Sequence, residues 1–98
     1  MRMNITNDAA TWYKTELDLE SEQSYIRFFP RYGHGGHIPG FSMGINHDKP
    51  KKAYISTVVE DITFFIESDD AWYFEDINLN ITLNEDRNEP EFNYIPQQ

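Results

Sequence analysis

The sequence predicts a small α+β domain, mainly mixed and antiparallel β-sheets, with an N-terminal helix and one further short helix. Residues 77–83 alternate isoleucine or leucine with asparagine or threonine, which is typical of a half-buried strand. Ala9, Tyr13 and Leu17 recur every four residues, as in an amphipathic helix. Because the chain has 98 residues, we expect one domain, residues 1–98, with a single core.

The first half of the chain is expected to hold the helix and two strands. Thr6 or Asn7 suits the N-cap of the helix, and the polar residues 20–24 suit a loop. Residues 25–32 form a strand with two different faces, and Pro30 places its end at a sheet edge or a bulge. A second strand, with alternating apolar positions Phe41, Met43 and Ile45, leaves the glycine-rich segment that follows.

The second half is expected to add strands around one short helix. After a turn at Pro50, residues 53–58 and 62–67 form a hairpin. Ser68, Asp69 and Asp70 start and cap a short helix over residues 71–74. The alternating strand 77–83 and a short last strand at residues 92–95 complete the domain.

Charge and cysteine content exclude several classes of function. The formal net charge of −9 disfavours nucleic acid and anionic membrane surfaces and favours a basic protein partner. The three lysines between Lys49 and Lys52 are interpreted as a solvated turn. The absence of cysteine excludes disulfides, thiolate metal sites and thiol catalysis. Without a signal core or an apolar span, the chain is expected to be soluble and cytoplasmic.

Four stretches in order give the chain a resemblance to the HesB/IscA-like family of A-type iron–sulfur cluster biogenesis proteins. They resemble the family's opening helix, the strand before its first ligand loop, its short helix after a hairpin, and its closing strand and tail. The stretches are 5–10, 26–31, 69–74 and 79–96. The chain is most similar to a short, cysteine-less, uncharacterised HesB-related subgroup of the YneR type, which implies a HesB-like domain.

The chain departs from this family at its ligand positions. The family uses one cysteine in the glycine loop and a Cys-x-Cys pair after the closing strand. Here His34 or Gly35 occupies the loop position, and the pair would fall beyond Pro96. Because iron–sulfur clusters are held chiefly by thiolates, the resemblance predicts the fold and argues against a conventional cluster carrier.

The glycine loop is the candidate ligand site. All five glycines lie between Gly33 and Gly44, together with two of the three histidines. His34 and His37 could hold zinc or iron with a carboxylate or His47, or they could be exposed polar loop residues. A strand follows the loop, so a phosphate cradle is rejected and turn geometry is favoured. The glycines concerned are Gly33, Gly35, Gly36 and Gly40.

Two further groups of residues have competing interpretations. Arg27 and Arg31 could clamp an anion, or they could pair with acidic residues of a neighbouring strand. Trp72, Tyr73 and Phe74 cannot all face the core, so one is expected to be exposed and could form a protein interface unless a loop covers it.

These observations predict a non-enzymatic protein that acts through protein contacts, as an accessory near iron–sulfur biogenesis. No nucleophile, base and orienting group can be assembled from the sequence, and no cofactor is expected. The alternative is a protein that binds a metal or a small ligand through the glycine/histidine loop, residues 33–44.

Overall fold

In a computed structural model that describes residues 1–19 and 24–97, the chain forms seven strands, one α-helix and one 3₁₀ helix. The elements are β1 (Met3–Ile5), α1 (Asn7–Glu16), β2 (Ser24–Tyr32), β3 (Phe41–His47), β4 (Ala53–Val59), β5 (Ile62–Glu67), the 3₁₀ helix (Ser68–Phe74), β6 (Ile77–Asn84) and β7 (Glu89–Pro96).

The strands form two mixed sheets. The first has the order β1-β6-β7, with β1 parallel and β7 antiparallel to β6. The second has the order β3-β2-β5-β4, in which β2 is parallel to β5 and the two outer pairs are antiparallel hairpins. This confirms the predicted α+β class. No helix in the described part of the chain is long and apolar enough to span a membrane.

The core is aromatic and lies under α1. Tyr13 meets Phe28 of β2 and Phe64 of β5 at ring-centroid distances of 6.2 and 5.6 Å, and Phe28 stacks on Phe64. All three side chains are buried, as is Ile26, so one of the two faces of β2 packs into the core. Tyr13 is the last buried residue of the helix, because Leu17 forms the C-cap and is 42% exposed. The predicted apolar stripe is therefore one position too long.

The start of α1 and the end of β2 follow local rules. Thr6 is the N-cap, and its side chain accepts a hydrogen bond from the backbone N–H of Ala9. Pro30 lies where β2 pairs with β3 alone, since pairing with β5 ends at Arg27. The missing N–H of Pro30 therefore faces no second strand, as predicted for an edge.

Several element boundaries differ from the prediction. Strand β1 was not predicted, and β7 begins at Glu89 instead of residue 92 because Asn84 and Glu89 already pair across the turn. The short helix begins at Ser68, with Glu67 at the cap position and no capping side chain. The capping role predicted for Asp69 and Asp70 is therefore wrong. The predicted loop 20–24 lies outside the described residues except for Ser24, which belongs to β2.

Candidate functional site

The glycine loop connects β2 to β3 and is closed by a pair of stacked aromatic residues. Tyr32 and Phe41 are register partners, and their ring centroids lie 5.4 Å apart. Inside this pair, the backbone N–H of Gly33 donates to the Gly40 carbonyl at 3.1 Å. The loop therefore returns the chain so that β2 and β3 can pair.

Glycine is required in this loop for two different reasons. Gly35 and Gly40 have φ angles of 92° and 89°, which residues other than glycine rarely adopt. Gly36 donates its N–H to the Phe41 carbonyl at 3.0 Å, and a Cβ at this position would overlap the Tyr73 hydroxyl. The loop therefore packs closely against Tyr73 of the 3₁₀ helix.

His37 attaches the loop to the body of the protein. Its ring lies 4.6 Å from Tyr73 and stacks on Tyr94 of β7 at 4.9 Å. His37 Nε2 is also in hydrogen-bond contact with the carbonyl oxygen of Tyr73. Because a carbonyl only accepts, the contact assigns the hydrogen to Nε2. In this arrangement His37 is half-buried and contributes packing and a hydrogen bond.

His34 has different surroundings from His37. It is exposed and lines a cavity of about 330 Å³ between β3 and β7, together with Ser42, Glu91 and Tyr94. Ser42 Oγ accepts a long hydrogen bond of 3.4 Å from Arg31 Nε. Within residues 1–19 and 24–97, no group of three or more histidine or acidic side chains is arranged to hold a metal ion.

Two tyrosines lie behind the loop. Tyr73 is fully buried. Burial raises the pKa of Tyr94, and the neighbouring Tyr73 raises it further through charge repulsion and a side-chain hydrogen bond. The Tyr94 phenol therefore stays protonated at neutral pH and is not prepared to act as a base.

The two arginines of β2 do not form a joint anion clamp. Arg27 donates to Asp70 of the 3₁₀ helix at 2.6 Å, with both side chains largely buried, and its guanidinium lies 5.2 Å from the Phe29 ring centre. The predicted acidic partner exists, but it comes from the helix and not from a neighbouring strand. Arg31 is exposed, and its Nε donates to Ser42 Oγ.

The aromatic run of the 3₁₀ helix divides between core and surface. Tyr73 and Phe74 are buried, whereas Trp72 is 48% exposed. The Trp72 ring packs edge-on against Phe41 at 5.4 Å, and Phe41 stacks on Tyr32, which is 89% exposed. We call Tyr32, Phe41 and Trp72 the aromatic strip. Sequence reasoning singled out Trp72 but missed the other two, although both flank the glycine loop.

The chain is similar over nearly its whole length to known bacterial proteins, although no family model matches it. A Bacillus subtilis protein named pyruvate dehydrogenase inhibitor is 46% identical over 95 residues, covering 96% of this chain and 99% of that protein. An uncharacterised protein of Staphylococcus saprophyticus is 34% identical over 88 residues, covering 87% and 90% of the two chains. An uncharacterised Staphylococcus aureus protein is 33% identical over 91 residues, covering 88% and 93%.

A crystal structure of IscA with a [2Fe–2S] cluster shares the fold. It superposes with a TM-score of 0.55, covering 96% of this chain and 81% of that chain, at 14% sequence identity. At this identity the likeness concerns the fold alone, and it supports the predicted HesB/IscA-like architecture. None of the four names denotes an enzyme.

Proposed function

The chain belongs to the family of the Bacillus subtilis pyruvate dehydrogenase inhibitor, and we propose that it is a non-enzymatic protein that binds pyruvate dehydrogenase and lowers its activity. The observation that carries this proposal is 46% identity over 96% of the chain and 99% of the relative. The alignment therefore compares this chain with almost the whole of that relative.

The surface of the chain supports an action through protein contact. An inhibitor that works by docking needs an exposed anchor and a partner of complementary charge, and it needs no reactive group. Trp72 and Tyr32 are exposed aromatic side chains, and the net charge of −9 favours a basic docking site on the partner. His37 of the loop and Tyr73 of the 3₁₀ helix pack against each other.

An accessory role in iron–sulfur cluster biogenesis is the second candidate, and the IscA fold favours it. The absence of cysteine weighs against cluster binding by this chain itself, because thiolates are the usual cluster ligands. We also propose that the chain belongs to the cysteine-less YneR-type subgroup, which would agree with the same absence. Metal or small-ligand binding by residues 33–44 remains the alternative for the loop, with His34 as the exposed ligand.

The test is a direct titration of purified pyruvate dehydrogenase complex with the chain, prepared without a histidine tag. Sedimentation velocity measures binding, and the steady-state rate of pyruvate oxidation is measured on the same samples. We expect saturable binding with a parallel loss of rate. Binding without loss of rate, or no binding, would contradict the proposal.

A parallel titration separates the metal alternative from the docking protein. Calorimetry with zinc and with ferrous iron measures stoichiometric binding at neutral pH, and His34→Ala serves as the comparison. Tight binding that disappears in His34→Ala would favour a metal protein. Inhibition that is unchanged by a chelator would favour the docking protein.

A further inference from the structure

The aromatic strip is an exposed apolar surface next to unpaired carboxylates. Three rings lie in series, Tyr32 on Phe41 and Phe41 on Trp72, with a spacing of 5.4 Å at each step. The two outer rings are exposed, at 89% for Tyr32 and 48% for Trp72. A set of large rings held in contact but left open to solvent is typical of a binding surface.

The charges that follow the strip in sequence are negative. Glu75 and Asp76 come three and four residues after Trp72, and both are exposed. The ion pairs within residues 1–19 and 24–97 are Arg27–Asp70 and Arg87–Glu89, so neither of these two carboxylates has an ion-pair partner in that part of the chain. Asp69 precedes Trp72 but lines a cavity together with Lys49 and Lys51. Arg31 is adjacent to Tyr32 in sequence.

Aromatic faces beside carboxylates select arginine over lysine. A guanidinium stacks on a ring and at the same time donates hydrogen bonds to a carboxylate, whereas an ammonium is a compact and strongly hydrated charge. The chain already contains this arrangement internally, since Arg27 lies over Phe29 at 5.2 Å and donates to Asp70 at 2.6 Å. At the surface, the exposed ring of Trp72 is followed three and four residues later by the exposed carboxylates of Glu75 and Asp76.

We propose that the aromatic strip is the docking surface for an arginine-bearing segment of a partner protein, whose guanidinium groups stack on Tyr32 and Trp72. The inference takes from the proposed function only that the chain has a protein partner. It can therefore be tested without pyruvate dehydrogenase, and its failure is distinguishable from failure of the proposed function.

The test uses two short peptides of equal charge and length, acetyl-Arg-Gly-Arg-Gly-Arg-amide and its lysine counterpart. Each is titrated into ¹⁵N-labelled chain, and the indole signal of Trp72 and the amide signals around Tyr32 report binding. Trp72→Ala and Tyr32→Ala are the variants. Val58→Ala is the matched control, because Val58 is 67% exposed on β4, outside the strip.

We expect the arginine peptide to bind at least about five-fold more tightly than the lysine peptide, and each strip variant to lose about five-fold in affinity. Val58→Ala is expected to bind like the wild type. Equal affinity for the two peptides would mean that net charge alone explains the binding, and it would overturn the proposal. Unchanged affinity in Tyr32→Ala would do the same, and so would a failure of the arginine peptide to bind. The exposure of Tyr32 makes that variant the safest for folding.

Discussion

The imidazole of His37 is in hydrogen-bond contact with the main-chain carbonyl of Tyr73, and the two rings meet edge-on with their centres 4.6 Å apart. This contact joins the glycine loop to the 3₁₀ helix. It gives His37 a structural role, which the exposed His34 does not share. The two histidines of the loop are therefore expected to respond differently to substitution.

Replacing His37 with alanine is expected to destabilise the fold by about 2 kcal/mol, because one hydrogen bond and two ring contacts are lost. Urea unfolding at neutral pH measures the change. His34→Ala is the matched control and should stay within about 0.5 kcal/mol of the wild type. Equal losses in the two variants would refute the anchoring role of His37.

Removing the Tyr13 hydroxyl is expected to stabilise the protein. This hydroxyl is buried without a hydrogen-bond partner among the described residues, and such a group costs about 1–3 kcal/mol. Tyr13→Phe should therefore raise the free energy of unfolding by about 1 kcal/mol, whereas Tyr54→Phe at an exposed position should leave it unchanged. A clear loss of stability in Tyr13→Phe would contradict this prediction.

The ion pair between Arg27 and Asp70 is expected to be worth more than a surface pair, since the two side chains are only 26% and 14% exposed. Asp70→Asn leaves the guanidinium in place without its counter-charge and should cost about 1–3 kcal/mol. The neighbouring exposed Asp69 provides the control, because Asp69→Asn should change stability by less than about 0.5 kcal/mol. A double-mutant cycle with Arg27→Met that gives no coupling energy would contradict the prediction.

Stability is expected to fall steeply above about pH 10, where tyrosine ionises in the unfolded chain. Burial raises the pKa of Tyr13 and of Tyr94 in the fold, so the folded state keeps protons that the unfolded state has lost. The stability that the two protonated tyrosines contribute is fully present below about pH 10. Above that pH, each tyrosine lowers the free energy of unfolding by up to about 1.4 kcal/mol per pH unit. Chemical unfolding between pH 9 and 12 measures the slope. Tyr94→Phe should make it shallower, and an unchanged slope would argue against the shift.

Elements whose signal is local could be predicted from the sequence. The alternation in β6 and the period of α1 are visible within a single window, and both elements form where expected. Strand β1 could not be predicted in this way. It has three residues, and its register, Met3 with Leu79, joins positions 76 residues apart through parallel pairing with β6. The three residues of β1 carry no local pattern that indicates pairing with β6.

The candidate site was only partly predictable for the same reason. Three consecutive aromatic residues predicted that one would face outward, and Trp72 does. The contribution of Tyr32 depends on its cross-strand pairing with Phe41, and that of Phe41 on its contact with Trp72. Such contacts follow from register and helix placement, which residue patterns do not encode. The pairing of Arg27 with Asp70 likewise depends on where the 3₁₀ helix lies, so the sequence did not predict it.

The most direct test of the central claim is the steady-state rate of purified pyruvate dehydrogenase as the chain is added. We expect the rate to fall to a plateau with wild-type chain and with Val58→Ala at the same concentrations. Trp72→Ala should require about five-fold more protein for the same effect. A rate that does not change at any concentration of wild-type chain would contradict the account.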